Sequence, residues 1–165
     1  MNKTAIFFGT STGNTENAAK IMAAKLGADI YDVANNPIGK ISEYEKIILG
    51  SSTLSIGELQ DDWEGFLPEL AKADLTGKTI ALFGLGDAYS YPDSFVDALG
   101  IIYEKIKNKG CTIVGAVDTE GYSFDFSAGV IDGKFVGLPL DDDNESELTN
   151  ERIDKWIEEI SQDFN

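Results

Sequence analysis

The stretch Thr10-Ser11-Thr12-Gly13-Asn14-Thr15 lies between an apolar run, Ala5-Ile6-Phe7-Phe8, and a helical pattern that continues to Leu26. This order predicts a strand, a hydroxyl-rich loop and the N-terminus of a helix. The first N–H groups of a helix have no partner inside the helix, and the helix dipole places partial positive charge there. Four hydroxyl side chains at such a junction favour an anion, most simply a phosphate.

The loop lacks the lysine that a nucleoside triphosphate site uses. It does not match the pattern G-x-x-x-x-G-K-[ST], and no Lys or Arg lies within it. The alternative that Thr or Ser only caps the helix stays open for this loop by itself. A single phosphate held by neutral donors is the ligand that the loop favours.

Composition limits the chemistry that the chain can perform. The 165 residues include 13 Lys and Arg against 29 Asp and Glu, a formal net charge of −16. This charge argues against nucleic acid and anionic membrane partners and favours a basic protein partner. The chain has no histidine and a single cysteine, Cys111. We therefore expect no catalytic residue, no metal site and no disulfide.

We expect residues 1–165 to form one domain. We expect a cytoplasmic protein, because the sequence shows no signal-peptide core and no apolar run long enough to span a membrane. We also expect a monomer. Cys111 follows Gly110, the expected end of a helix, and lies at the start of an apolar run, which predicts a buried strand thiol.

Short apolar runs alternate with helical patterns along the chain. The runs predict strands at about 3–9, 29–33, 45–51, 79–83 and 111–117. The helical patterns predict helices at about 13–26, around 63–70, and at about 93–109 and 149–164. Such alternation predicts a parallel sheet with helices on both faces, and a ligand beyond the carboxyl ends of the strands. The loops at 9–15, 51–60 and 84–91 would meet there.

Residues 118–137 do not fit this alternation. Asp132-Gly133 within them is a hairpin signal. We interpret residues 118–137 as an insertion that interrupts the last strand, which resumes near 138–140.

Several motifs together resemble those of flavodoxins, and the similarity runs from about residue 3 to residue 160. The motifs are the Thr10–Thr15 loop, Ile56-Gly57-Glu58-Leu59-Gln60-Asp61-Asp62-Trp63-Glu64-Gly65, Gly84-Leu85-Gly86-Asp87, Tyr91-Pro92-Asp93, Gly121-Tyr122, Asp132-Gly133-Lys134-Phe135-Val136-Gly137-Leu138 and Asp143-Asn144. The insertion resembles the extra loop of the long-chain class. The resemblance implies an α/β fold of the flavodoxin-like, doubly wound, three-layer type, with five parallel strands in the order 2-1-3-4-5.

The resemblance also implies a function. Flavodoxins bind one FMN noncovalently, without metal, and shuttle single electrons between redox proteins through the semiquinone and hydroquinone. This implies a low-potential electron carrier rather than an enzyme, with a flavin reductase and low-potential oxidoreductases as partners. Acidic residues near the second loop, Glu58, Asp61 and Asp62, would steer a basic partner toward the flavin.

The resemblance assigns cofactor-binding roles to three loops and one further acid. The first loop, Thr10, Ser11, Thr12, Gly13, Asn14 and Thr15, would hold the phosphate. The second, Thr53, Leu54, Ser55, Ile56 and Gly57, would cover the inner face of the flavin ring. In the third, which includes Leu85, the backbone of Gly86 and Asp87 would face the pyrimidine edge and Tyr91 would stack on the outer face. Asp143 would lie near the ribityl chain.

Leu54 departs from the family pattern. Many relatives carry Trp at this position, and an aliphatic residue forfeits aromatic stacking on the flavin. Trp63 does not replace it, because the helical spacing of Trp63, Phe66, Leu67 and Leu70 predicts that these residues pack in the core.

Other functions stay open. An FMN-dependent NAD(P)H:quinone reductase is the alternative function, and a non-flavin phosphate-binding module is a further one. A receiver domain is disfavoured because Gly9-Thr10 and Gly50-Ser51 stand where its acids would be.

Overall fold

The computed structural model describes residues 4–164, and these residues are built around a mostly parallel sheet. The first five strands are β1 (Thr4–Gly9), β2 (Asp29–Asp32), β3 (Lys46–Leu54), β4 (Glu58–Leu59) and β5 (Thr79–Leu85). The next five are β6 (Thr112–Val114), β7 (Val117–Asp118), β8 (Val130–Ile131), β9 (Lys134–Phe135) and β10 (Leu138–Leu140). The α-helices are α1 (Asn14–Leu26), α2 (Asp61–Lys72), α3 (Asp97–Ile106), α4 (Asp142–Glu145) and α5 (Thr149–Ile160). Short 3₁₀ turns occupy Val33–Asn35, Ile38–Glu43 and Ser146–Leu148. Lys3, where the first strand was expected to begin, lies outside the described residues.

The strand order confirms the predicted topology. Parallel pairs join β2 to β1, β1 to β3 and β3 to β5. Two short strands then share the far side of β5: β6 pairs with Thr79–Ala81, and β10 pairs with Phe83–Leu85. The order β2-β1-β3-β5 is followed by β6 and β10 side by side on the far edge of β5. This is the predicted order 2-1-3-4-5, with β5 as the fourth strand and β6 and β10 as the two pieces of the fifth.

Gly115 explains where the fifth strand breaks, three residues earlier than expected. Its φ of +87° is a left-handed conformation that ends the extended strand after Val114. The Trp156 indole N–H donates to the Gly115 carbonyl at 2.9 Å. A Cβ on Gly115 would lie 2.8 Å from the indole nitrogen of Trp156. Helix α5 therefore approaches this turn too closely for a residue other than glycine at position 115.

The insertion was predicted at residues 118–137; it begins earlier, after β6, and folds against the end of the sheet as a small antiparallel unit. β9 pairs with both β7 and β8. The two-residue connection between β8 and β9 is Asp132-Gly133, with φ of +54° and +82°. Both central residues at positive φ match the predicted hairpin turn.

Helices cover both faces of the sheet, as predicted. Strand β1 divides its side chains between two cores: Phe7 packs with α2 and α3, and Phe8 packs with α1 and α5. Trp63 in α2 is fully buried, and its indole N–H donates to the Gly50 carbonyl at 2.9 Å. Its role in the core is confirmed.

Several predicted boundaries were wrong for local reasons. α3 begins at Asp97 rather than at residue 93, because Val96 has a φ of +47° that a helix cannot contain. β3 continues to Leu54 because its end pairs with β4. α3 ends at Ile106, so Gly110 lies in the turn that follows rather than at the helix end, and α5 ends at Ile160 rather than at residue 164.

Cys111 is also placed differently from the prediction. It precedes β6 rather than lying in it, and it is half-buried. The thiol lies 3.4 Å from the Ile106 carbonyl, and burial raises its pKa. Among residues 4–164, no helix is long and apolar enough to cross a bilayer.

Gly115→Ala should lower the free energy of unfolding by about 2–4 kcal/mol, because it adds backbone strain and a clash with Trp156. Gly133→Ala is the matched control: its φ is also positive, but nothing lies within 4 Å of the added Cβ. It should cost only about 1–2 kcal/mol. Urea denaturation of both variants would measure the difference, and equal losses would contradict the close approach of Trp156.

Candidate functional site

The carboxyl ends of β1, β3 and β5 surround an open cleft with a volume of about 210 Å³. Most of the residues predicted for the site line it. They are Ser11, Thr12 and Asn14 of the first loop, Thr53, Leu54 and Ser55 of the second, Leu85, Gly86, Asp87 and Tyr91 of the third, and Asp143. The predicted residues Thr10, Gly13, Thr15, Ile56 and Gly57 do not line the cleft.

The first loop ends in an open helix N-terminus. Gly13 precedes α1 with a φ of +95°, and no side chain caps the helix. The Gly13 N–H donates to the Thr10 hydroxyl at 2.9 Å, which holds the loop closed. In the first turn of α1, the buried Thr15 hydroxyl has no hydrogen-bond partner among the described residues. An uncapped helix start with a spare hydroxyl is suited to an anion.

Gln60, which carried no predicted role, joins the second loop to the first. It is buried, and its side-chain carbonyl accepts from the Asp62 N–H at 3.0 Å, which caps α2. Its amide group donates to the Ser11 hydroxyl at 3.3 Å and to the Asp62 carboxylate at 2.8 Å. The position of the first loop therefore depends on the start of α2.

The second loop turns tightly between Leu54 and Gly57. The Gly57 N–H donates to the Leu54 carbonyl at 3.2 Å, and Ser55 has a φ of +47°. Gly57 has a φ of +110°, and a Cβ there would lie 2.6 Å from an Asp97 carboxylate oxygen. The turn leaves the Ile56 side chain 81% exposed, away from the cleft wall.

Thr53 anchors the base of this loop. It lies at the end of β3, and its hydroxyl accepts from the Ala98 N–H in the first turn of α3 at 3.0 Å. It therefore satisfies a helix N–H that has no partner within the helix. The neighbouring Ser52 also lines the cleft, and its hydroxyl is buried without a partner within residues 4–164.

Asp87 organises the third loop. Its carboxylate accepts from the Ser90 N–H and from the Asn144 side chain, both at 2.9 Å. Asp141 supports the same loop, because its buried carboxylate accepts from the Ala88 N–H at 3.1 Å. The loop that carries Tyr91 is thus tied to the segment that follows β10.

Carboxylates dominate the charge of the cleft. Burial would raise the pKa of Asp87, but hydrogen bonds from the Ser90 N–H and the Asn144 side chain outweigh it and lower that pKa. The pKa of Asp143, a mostly exposed residue, is raised by partial desolvation and by the negative charges of Asp87, Asp141 and Asp142. Along the cleft wall that the structure describes, no lysine or arginine balances these charges.

Ser52 and Asp142 line the cleft but were missed from the sequence. Ser52 lies in the 51–60 loop that was expected at the site, but it was given no role because the family resemblance assigns the inner face only from Thr53 onward. Asp142 lies within a run of three aspartates, and only the start of α4 at this residue distinguishes it. No sequence signal separates these positions from their neighbours.

Comparison with known proteins identifies the family. The family model described as Flavodoxin matches residues 6–156. The chain belongs to the flavodoxin family. Flavodoxins are electron-transfer flavoproteins, and they are not enzymes in the usual sense.

Relatives match this flavodoxin along nearly its whole length. A flavodoxin from Nostoc sp. is 44% identical, over 98% of this chain and 97% of the relative. Flavodoxin 1 from Escherichia coli is 45% identical, over 98% of this chain and 94% of the relative. The crystal structure of Fusobacterium nucleatum flavodoxin bound to flavin mononucleotide superposes with a TM-score of 0.94 at 32% identity, covering 100% of both chains.

Asp143→Asn should stabilise the flavin-free protein at neutral pH. The folded chain holds the Asp143 proton more tightly than the unfolded chain does, so this carboxylate destabilises the fold once the pH rises above the raised pKa. The gain should fade as the pH falls through that pKa and vanish below the ordinary carboxyl value of about 4. Because Asp143 is exposed, salt should reduce the gain.

Urea denaturation at several pH values would measure this gain. Asp125→Asn, at an exposed position in the insertion, is a control that removes the same charge elsewhere. An equal gain in the free energy of unfolding in both variants would show that it comes from the lower net charge and not from the surroundings of Asp143.

Proposed function

We propose that this flavodoxin is a low-potential one-electron carrier that binds one FMN noncovalently in the cleft. The supporting observation is that one cleft joins an uncapped helix start to an aromatic and an aliphatic residue, Tyr91 and Leu54. A phosphate ester attached to a flat, apolar ring system matches that combination. The bound FMN would supply the redox chemistry, and the protein would set its potential.

The orphaned hydroxyl of Thr15 favours a phosphate at the first loop. A buried hydroxyl without a partner costs stability, and a phosphate oxygen at the start of α1 would accept its hydrogen bond. We assign Thr10, Thr12 and Thr15, with the N–H groups of Ser11, Gly13 and Asn14, to the FMN phosphate. Gly13 can take its left-handed conformation without strain, which keeps the loop compact.

The remaining predicted residues would hold the ring and the sugar chain. Tyr91 would stack on the outer face, and Leu54 and Ser55 would cover the inner face beside Thr53. Gly86 and Asp87 would meet the pyrimidine edge, and Asp143 would lie near the ribityl chain. Ile56 and Gly57 would shape the turn rather than touch the ring, which fits the exposure of Ile56 and the close approach of Gly57 to Asp97.

The charge of the cleft supports a low potential for the second electron. Reduction to the hydroquinone can place negative charge on the flavin, and Asp87, Asp142 and Asp143 line the cleft with no basic residue beside them. The negative charges of these carboxylates oppose a further negative charge on the flavin, and they oppose it more strongly where water is excluded. We propose that the protein cycles between the semiquinone and the hydroquinone for this reason.

The partners that we propose are redox proteins with basic docking surfaces, such as a flavin reductase and low-potential oxidoreductases. Beside the cleft, Ile56 is 81% exposed and Tyr89 is 86% exposed, and Glu58 and Asp61 lie on the surface close in sequence to Ile56. Exposed apolar side chains together with surface acids favour a basic protein surface over nucleic acid or an anionic membrane. We further propose a cytoplasmic monomer of one domain over residues 1–165, in the long-chain class because of its insertion.

The visible spectrum during stepwise anaerobic reduction would test this function. The purified protein, or the apoprotein after addition of FMN, should be yellow, pass through a blue neutral semiquinone and become pale. NAD(P)H alone should not reduce it. A protein that stays colourless with FMN would contradict flavin binding, and rapid unaided oxidation of NAD(P)H with a quinone would favour a reductase instead.

Thr15→Val should separate ligand binding from stability. Removing the orphaned hydroxyl should leave the free energy of unfolding of the flavin-free protein unchanged or slightly higher. The same change should raise the Kd for FMN about tenfold, because a hydrogen bond to a charged group is lost. Fluorescence titration with FMN and urea denaturation would measure the two effects.

Thr15→Ser is the matched control for that variant, because it keeps a hydroxyl at the same position. It should bind FMN nearly as tightly as the unchanged protein. Equal affinity of the Val and Ser variants would show that the Thr15 hydroxyl does not reach the phosphate.

A further inference from the structure

Helix α4 supplies two of the cleft carboxylates but has no place in the hydrophobic core. It spans only Asp142–Glu145, none of its residues is buried, and both Asp142 and Asp143 line the cleft. A single helical turn is unstable by itself, and burial of apolar surface does not hold this one. Its position must therefore depend on polar contacts.

Several of these contacts involve Asp141, directly before α4, and the first three residues of the helix. The buried Asp141 carboxylate accepts from the Asn144 N–H at 3.1 Å and caps the helix. The Asn144 side chain donates to Asp141 at 2.9 Å and to Asp87 at 2.9 Å, which joins α4 to the third loop. The Thr149 hydroxyl donates to the Asp142 carboxylate.

The contact at the end of α4 comes from Arg152, the only arginine in the sequence. Its Nη2 donates to Glu145 Oε1 at 3.1 Å and to the Gly121 carbonyl at 3.2 Å. The guanidinium carbon lies 4.2 Å from the centre of the Tyr122 ring. The Tyr122 hydroxyl in turn donates to the Pro139 carbonyl in β10 at 2.8 Å.

We propose that Arg152 is a positioning residue of the FMN cleft. It fixes the end of α4 against the insertion and β10 through Glu145, Gly121 and Tyr122. Through Asn144 and Asp141, the placement of α4 then sets the third loop, which carries Asp87 and Tyr91. This inference rests on the proposed function, because the cleft that Arg152 supports is the proposed flavin site.

The environment of Arg152 favours control of geometry over a gain in stability. The side chains of Arg152 and Glu145 are 13% and 34% exposed, so the pair is screened less than a surface ion pair. However, the buried Nη1 of Arg152 has no partner among the residues that the structure describes. The cost of that unsatisfied donor offsets much of the gain from Nη2. Replacing Arg152 should therefore alter the cleft more than the free energy of unfolding.

Arg152→Met tests this role, because methionine keeps much of the apolar packing on Tyr122 and loses both hydrogen bonds. Lys155→Met is the matched control: Lys155 is an exposed residue of the same helix, carries the same charge, and forms no ion pair within residues 4–164. The measurements are the Kd for FMN, the two midpoint potentials of the bound flavin, and amide hydrogen exchange at Ala88 and Asn144 in the flavin-free protein.

We expect Arg152→Met to raise the Kd for FMN and the exchange rates of both amides by about tenfold, with a shift in at least one potential. Lys155→Met should leave the Kd and the exchange rates within about twofold of the unchanged protein. Arg152→Lys keeps a donor for Glu145 but loses the planar guanidinium, so its Kd and exchange rates should lie between those of Arg152→Met and Lys155→Met. If Arg152→Met does not fold, Glu145→Ala removes the acceptor of the same contact from a half-buried position, and it should accelerate exchange in the same way.

The outcomes separate this inference from the proposed function. Equal effects of Arg152→Met and Lys155→Met would show that Arg152 acts only as a charge, and unchanged exchange in Arg152→Met or Glu145→Ala would overturn the positioning role. Failure of the unchanged protein to bind FMN would contradict the proposed function. The exchange rates in the flavin-free chain would still decide whether Arg152 holds α4.

Discussion

The parallel pairing of β1, β3 and β5 is the constraint on which the cleft depends. Parallel strands end at the same edge of a sheet, so the loops after these three strands must meet there. The pairing of Gly9 with Ser51 and of Ser51 with Gly84 brings the starts of these loops side by side. Burial of the sheet between two layers of helices fixes this register, because a slip of one residue would exchange Phe7 and Phe8 between the two cores.

Around this rigid edge, the cleft is built from backbone conformations that only certain residues adopt without strain. Gly13 and Gly57 take left-handed conformations, and Gly57 also faces Asp97 too closely for a side chain. Ser55 adopts the same region without the freedom of glycine, so the turn beside the proposed inner face of the flavin holds strain. Strain at a ligand loop persists because the neighbouring strands β3 and β4 hold both ends of the turn.

One wall of the cleft differs from the others in the forces that hold it. The walls from β1, β3 and β5 rest on core packing, whereas α4 is fixed by the hydrogen bonds that Asn144 donates to Asp141 and by those that Thr149 and Arg152 donate to the helix. Polar contacts of this kind contribute little net stability, but they are directional, so they specify geometry. The insertion takes part in this arrangement, since Gly121 and Tyr122 also contact Arg152.

The sequence by itself determined the fold class, the strand order through its family resemblance, and the loops that surround the cleft. Those features follow from apolar periodicity and from motifs that are continuous in the chain, as the first loop and the Asp132-Gly133 hairpin illustrate. The sequence did not place Ser52 and Asp142 in the cleft wall or assign the roles of Gln60 and Arg152. Gln60 meets Ser11 across 49 positions of the chain, and Arg152 meets Gly121 across 31. Only the tertiary structure brings such distant residues together, because a local pattern carries no information about which polar groups will face each other once the cores have packed.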